Sequence, residues 1–487
     1  MKKYIIILNL FLWAVHFNGN AQNQVFTEEL KKNVKQRVEK GINTGIVIGV
    51  VTANGTSFYS CGVKSLETKE PVDEYSIFEI GSITKTFTGI LLANEVIKGE
   101  LSLNTPLQNL LPEGIKAPCR NGNSIKLFHL ANHSSSLPRT PNNFAITEPE
   151  NKYANLTVQQ IYEFINTYEL SYDIGTKFNY SNLGMGLLGN VLADKNNTSY
   201  EELMLENIAN PLGMDNTRIS LTPEMRKNLA KGHRIGVEVK NWDLPGMAGA
   251  GAIRSTAVDM LKYLAANMGI VKSKLYPAMQ LSHKYSGSSI GDMTLGLGWV
   301  TMTVEGKEIL WHNGGTGGYM SFMGFTKDGE RGVVVLSNSA FMPDDIGIHL
   351  LSPKAKLRNP KPSIANELNK LIENEGIDSA IRVYTELKKN NAYDYNFSRE
   401  ELNKLGYRYL LKGKMREALA IFKINLEANP KDWNVYDSYA EALLKNNEKD
   451  KAVYYYKKSV ELNPQNTNGL EELRKLGVKI EQKEKQD

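Results

Sequence analysis

The sequence predicts an α+β domain followed by an all-α repeat, and three observations carry that prediction. Strand-like runs lie at both ends of residues 22–350 with helical stretches between them, a proline-rich break falls at 351–363, and a 34-residue period marks residues 364–487. Such an arrangement implies an antiparallel sheet completed by strands far apart in the chain.

The first strands are GIVIGVVTANGTSFYSCGVK, Gly45 to Lys64, where β-branched and aromatic residues flank Ala53-Asn54-Gly55 as in a hairpin. A helix is expected from Ser82, with Ile83, Phe87, Ile90, Leu91 and Ile97 on one face and Gly99 as its stop. From Pro112 to Leu244 an irregular helical region is expected, including helices at Val158–Tyr168 and Leu183–Ala193. Strand character returns at Leu297–Thr303, Glu308–His312, Tyr319–Thr326 and Gly332–Asn338, the last two joined across Lys327-Asp328-Gly329.

The stretch LSPKAKLRNPKPS, with three prolines and four basic residues, reads as a linker. Beyond it, aligning Pro430 with Pro464 superposes Leu405 on Tyr439, Gly406 on Ala440, Ala418 on Ala452 and Phe422 on Tyr456. This resembles the tetratricopeptide repeat, with Ile364–Lys389 as a degenerate first helix pair. The resemblance implies a surface for a protein or peptide partner.

The 487 residues are 41% apolar and 23% charged, which permits a sizeable core. The leader, MKK followed by an apolar run from Tyr4 to about Val15 and then FNGNAQ, reads as a signal peptide of residues 1–21, too short to span a bilayer. A periplasmic or secreted location is expected, with no membrane span after signal removal. Loss of Lys2 and Lys3 with the leader takes the formal charge from +5 to +3, and no basic block argues for nucleic acid. Cys61 and Cys119 are too few for a disulfide framework, and no H-E-x-x-H or C-x-x-C points to a metal. No cofactor is expected.

Chemistry is suggested by three small motifs. Ser82 and Lys85 form the sole S-x-x-K of the chain, GSITKTFTGILLANEVIKG. In the first turn of a helix, the dipole favours a developing oxyanion at the hydroxyl and disfavours the ammonium one turn on, so a neutral amine there can accept the serine proton. An N-cap serine followed by a solvated lysine is the plain alternative. Tyr180 and Asn182 flank Ser181 where a helix begins, a phenol able to relay a proton beside a carboxamide able to hold a substrate amide. Finally, a strand ends in His312-Asn313-Gly314-Gly315, setting a titratable ring and bare backbone at a sheet margin. The other histidines, including His129, His233, His283 and His349, read as structural. Gly184-x-Gly186-x-x-Gly189 mimics a dinucleotide fingerprint but lies inside the expected helix, where close packing explains it.

The shared order S-x-x-K, Y-x-N, H-x-G resembles the serine β-lactamase and penicillin-binding protein superfamily, nearest the class C branch, over residues 25–345. LANHSSSLPR, with His133 and Leu137-Pro138, and GAGAIRSTAVDMLKYL, with Ser255 and Asp259, echo it. The resemblance implies Ser82 as acylated nucleophile, Lys85 or Tyr180 as first base, and His312 in the position of the family lysine. It implies Asn182, Asn313, Gly314 and Gly315 around the substrate, with the N–H groups of Ser82 and Gly315 as oxyanion hole. The chain has histidine where β-lactamases carry Lys-Thr-Gly or Lys-Ser-Gly, which weakens anchoring of a substrate carboxylate, since a histidine of ordinary pKa is mostly neutral at pH 7. The expected function is an exported serine hydrolase of a small-molecule or peptide ester or amide, with esterase or D-amino-acid peptidase activity ahead of β-lactamase. The alternative is a non-catalytic sensor or scaffold that works through its repeats.

Overall fold

The computed structural model describes residues 25–284 and 286–478. The expected signal peptide lies outside the described residues. Among them, no helix is long and apolar enough to cross a membrane.

One eight-stranded sheet organises the first part of the chain. In chain order its strands are β1 (Gly45–Thr52), β2 (Gly55–Gly62), β3 (Ser288–Ile290), β4 (Met293–Leu295), β5 (Val300–Val304), β6 (Lys307–Gly315), β7 (Met320–Thr326) and β8 (Gly332–Ser337), arranged β2-β1-β8-β7-β6-β5-β4-β3. Every neighbouring pair is antiparallel. The long-range join is β1 with β8, in register from Ile46 opposite Ser337 to Val51 opposite Gly332. The expected α+β sheet completed by distant strands is thus present. Its first turn is tighter than the hairpin motif suggested: only Ala53 and Asn54 form the loop, and Gly55, at φ 121°, already pairs with Thr52. The hairpin β3–β4 was not expected, because its polar residues carry no strand pattern.

The apolar run of β1 follows from its position, buried on both faces. Ile46, Ile48 and Val50 pack under the helices Glu28–Glu39 and Asp344–Leu351 with Leu30, Val34, Ile346 and Leu350. Val47 and Val51 belong to the larger core on the other face, with Leu261 and Leu264 of the helix Ala257–Asn267.

The helix after Ser82 departs from the one-sided expectation. A short 3₁₀ turn, Gly81–Ile83, leads into Thr84–Ile97, which is buried on nearly all sides from Thr84 to Ala93, while Ile97 is exposed. It is a central helix, so Thr86 and Thr88 are buried with polar partners: Tyr263 donates to the first, and the second bonds to the Gly249 carbonyl. The expected helices at 158 and 183 form as Val158–Thr167 and Asn182–Lys195. In the latter, a Cβ on Gly186 would lie 2.8 Å from the Met247 Cα and one on Gly189 3.1 Å from the Gly249 Cα, so these glycines permit close packing.

The C-terminal part is all helical. Helices Arg399–Leu411 and Met415–Ala428 recur 34 residues later as Trp433–Lys445 and Lys449–Leu462, and Thr467–Lys475 begins another 34 residues after Trp433. Helices Ile364–Glu375 and Ile377–Asn390 precede them. Gly406 lets the ring of Phe422 approach to 2.6 Å of where a Cβ would stand.

The segment between the two parts is pinned. Asp345 accepts from Arg37 and from the Arg358 amide and guanidinium, and the Arg358 carbonyl accepts from Asn33 and Arg37. A hairpin, His233–Arg234 paired with Val237–Glu238, projects from the sheet-containing part so that Ile235 packs against the core of the C-terminal helices. Ile235 has φ 53°, an uncommon conformation for a β-branched residue, held by this packing.

Candidate active site

Ser82 lies in the 3₁₀ turn, where Gly81 (φ 50°) brings the backbone against the end of β6. A Cβ on Gly81 would be 2.7 Å from the Gly315 nitrogen, and one on Gly314 would collide with the Ile80 carbonyl. Ser321 of β7 donates to that carbonyl at 2.9 Å and fixes the same approach. Glycine at 81, 314 and 315 therefore sets the Ser82 turn directly on the strand margin.

Lys85 is fully buried one turn on, with Nζ 2.9 Å from Ser82 Oγ and 2.6 Å from the Ala250 carbonyl. Burial, and then the charge of Arg139, hold its pKa well below that of an ordinary ammonium. A deprotonated amine beside the hydroxyl is the state this environment favours. The solvated-lysine alternative does not hold.

Tyr180 comes to the same place from the loop before Asn182–Lys195. Lys85 Nζ lies 4.9 Å from its ring centroid, Arg139 Cζ 5.0 Å, and the rings of His133 and His312 are at 4.4 and 6.4 Å. Burial raises its pKa to about 12, against the lowering effects of the Ser82 hydroxyl and Arg139. The phenol thus stays protonated near neutrality. Ser181, between Tyr180 and Asn182, is the N-cap: its Oγ accepts from the Gly184 amide at 2.8 Å and donates to the Pro138 carbonyl at 2.7 Å. Asn182 is half-buried with its amide on the Arg139 carbonyl, and its carboxamide has no hydrogen-bond partner among the described residues.

His312 is buried, and burial followed by the Lys85 charge lowers its pKa to about 3, opposed by its bond to the Asn313 carbonyl. A carbonyl only accepts, so Nδ1 carries the proton and Nε2 is the acceptor of a neutral ring. Where a lysine would set a cation, this chain sets a neutral acceptor.

Asn313 requires a correction. Side chains alternate along a strand, and its carboxamide donates to Asp344 at 2.8 Å on the opposite sheet face from His312. As a substrate-binding side chain it is misplaced; only its backbone borders the site.

Sequence reasoning missed two contributors and underused a third. The Ala250 carbonyl that holds Lys85 has no side-chain signature. Arg139 follows Leu137-Pro138 in the quoted loop, but an exposed arginine gives no hint that it will stack on Tyr180. His133 accepts the Ser181 amide through Nδ1 at 3.2 Å and lies under Tyr180, so it positions the phenol. Ser255 and Asp259 brace a neighbouring loop instead: Ser255 bonds to Thr217, and Asp259 accepts from Asn216 and Thr217. Cys61 and Cys119 are both free thiols.

A search of known families matches residues 30–351 to the Beta-lactamase family, and the chain belongs to that family. Among curated relatives, it is 26% identical over 330 residues to a β-lactamase of Escherichia coli strain K12, covering 60% of this chain and 84% of that protein. It is 30% identical over 276 residues to the D-alanyl-D-alanine-carboxypeptidase/endopeptidase AmpH of the same strain, covering 54% and 70%. Solved structures with the same fold include a β-lactamase/D-alanine carboxypeptidase from Pseudomonas syringae, with TM-score 0.59 and 22% identity over 69% of this chain and 100% of that one. A class C β-lactamase matches with TM-score 0.59 and 22% identity over 70% and 100%.

Proposed function

We propose that this chain is an exported serine hydrolase that cleaves an ester or amide through an acyl-enzyme on Ser82, with esterase or D-amino-acid peptidase activity ahead of β-lactamase. The observation that carries it is the desolvated Lys85 amine 2.9 Å from the Ser82 hydroxyl. With Tyr180 held to a pKa of about 12, tyrosinate is scarce at neutral pH and Lys85 is the better first base. Lys85 takes the Ser82 proton as Oγ adds to the substrate carbonyl. The Ser82 and Gly315 N–H groups receive the oxyanion, and the Tyr180 phenol passes a proton to the leaving group. Asn182, whose carboxamide has no partner among the described residues, holds the acyl-side amide. The Lys85 ammonium then restores the Tyr180 proton; once the leaving group has gone, water attacks the acyl carbon, neutral Lys85 takes its proton and returns it to the departing Ser82 Oγ, releasing acid and free Ser82.

Substrate preference follows from the neutral His312. Without a cation in that position, recognition of a carboxylate next to the scissile bond is weaker, which favours esters and uncharged amides over penicillins. The helical repeats, with their 34-residue spacing, resemble tetratricopeptide repeats and support a peptide-binding role for that part. The test is a panel of a short-chain nitrophenyl ester, a D-alanyl-D-alanine peptide and a chromogenic cephalosporin, with Ser82→Ala alongside. Turnover of the ester or peptide above the cephalosporin, absent in the variant, is expected; equal behaviour of both proteins on all three contradicts the proposal.

A further inference from the structure

Two neighbouring cavities of about 370 Å³ each lie between the hydrolase part and the C-terminal helices, sharing Lys152, Arg234, Ile235, Trp242, Gly317 and Lys404. Together they form one groove. Its far end is lined by Arg408, from helix Arg399–Leu411, and its near end reaches Thr316 and Met320. Met320 is the cross-strand partner of Gly315, so the groove opens at the margin of the Ser82 site.

Its charge is not balanced from within. Lys240 pairs with Glu148 at 2.7 Å, Lys404 with Glu401 at 2.9 Å and Lys412 with Glu373 at 3.7 Å. Lys152, Arg234 and Arg408 have no carboxylate within ion-pair distance among the described residues; Lys152 instead lies 4.9 Å over the Trp242 ring, and Arg408 donates to Asn369. Lys361 is a fourth cation without an ion pair, lying over the Tyr393 ring, and Glu150 is the groove's remaining carboxylate without one, leaving four unpaired cations against one anion among the described residues. Arg234 and Arg408 come from different parts of the molecule yet line the same cavity, and, after burial, the Arg408 charge depresses the Arg234 pKa while Glu150 only partly opposes it. Holding two guanidiniums together is unfavourable unless an anion enters between them. The Ile235 anchor beside Arg234 fixes that juxtaposition.

We propose that this groove binds an acidic, extended segment of a peptide substrate, whose carboxylates engage Arg234, Arg408 and Lys152 while its scissile bond lies at Ser82. The proposal rests on the hydrolase reading above. An elongated groove with single cations spaced along it, drawn from both parts of the chain, suits spaced carboxylates better than one compact polyphosphate.

The test uses the full chain with Ser82→Ala and a fluorescein-labelled, glutamate-rich octapeptide, followed by anisotropy. Saturable binding is expected, weakened about tenfold by Arg234→Gln or Arg408→Gln alone and lost in the double variant, as expected for charge-assisted bonds. A lysine-rich peptide should not bind, and added salt should weaken the acidic one. Circular dichroism should show each variant folded. Equal binding by parent and folded double variant overturns the proposal, as does binding of tripolyphosphate without the peptide. If esters are turned over but the peptide is ignored, the groove reading alone falls. If the peptide binds through these arginines while no ester or amide is cleaved, the hydrolase reading falls and the substrate assignment with it.

Discussion

The two parts of this molecule hold their structure by opposite means. In the hydrolase part, residues more than one hundred and sixty positions apart meet: β1 pairs with β8, Ser321 fixes the Ile80 carbonyl, and Lys85 reaches Ala250. In the C-terminal part each helix packs on its sequence neighbours, and the same contact of a small residue with an aromatic recurs, Gly406 with Phe422 and Ala440 in a cluster with Tyr456. Convergence makes a site of fixed geometry, whereas stacking makes a repeating surface. A substitution should therefore act globally in the first part and locally in the second.

The largest effect separates chemistry from folding. Ser82→Ala should lower turnover by at least ~10⁴-fold, and Lys85→Met by about 10²–10⁴-fold, while circular dichroism shows both folded. Comparable loss of helicity in either variant would mean that the site residues serve the fold instead.

Next comes packing. Gly186→Ala sets a Cβ 2.8 Å from the Met247 backbone, which cannot retreat, and should destabilise the hydrolase part by about 1–3 kcal/mol in denaturant melts. Gly406→Ala meets only the Phe422 ring, which can tilt, and alanine's helix propensity returns up to about 1 kcal/mol. Its smaller effect should be confined to the C-terminal transition; a matching shift in both transitions would erase the contrast.

Smaller still is the joint between the parts. Ile235→Asn keeps a residue that tolerates positive φ but removes the apolar contact with the helical core. It should speed proteolysis near Lys354–Lys361 relative to the wild type, because the Arg37–Asp345–Arg358 pin and the Asn366 bond to the Gly41 carbonyl then remain to hold the joint. Unchanged cleavage would show that Ile235 contributes nothing to docking.

The pH profile sharpens the role of each site group. His312 titrates near 3 and Tyr180 near 12, so neither changes charge between pH 5 and 9. Lys85, pushed down, must be neutral to accept a proton; kcat/KM on a neutral ester should fall as pH drops through its pKa and stay level above it. Tyr180→Phe should lower the plateau without moving that limb. A shifted limb would assign the titration to the phenol.

What the sequence made legible follows from the same contrast. The 34-residue period was readable because its contacts are local and periodic, and the helix starts at 399, 433 and 467 keep that spacing. Most strands of the sheet were readable from their β-branched and aromatic runs, though not the polar β3–β4 hairpin, and the order of S-x-x-K, Y-x-N and H-x-G, through the resemblance it carries, named Ser82, Lys85, Tyr180 and His312 as one group. Facing could not be read where a one-residue step reverses it, as between His312 and Asn313. Nor could contributions made by backbone, such as the Ala250 carbonyl, or by a cation that acts only through tertiary proximity, such as Arg139 on Tyr180. The pinned segment at 351–363 has a linker's composition, and only the partners of Arg358 reveal that it is held.

The most direct test is peptide mapping by mass spectrometry after a brief incubation with a nitrophenyl ester and acid quench. A mass increase equal to the acyl group on the peptide bearing Ser82, absent from Ser82→Ala, is the predicted result. Ester turnover with no adduct on that peptide, or with the acyl group on another residue, would contradict the account.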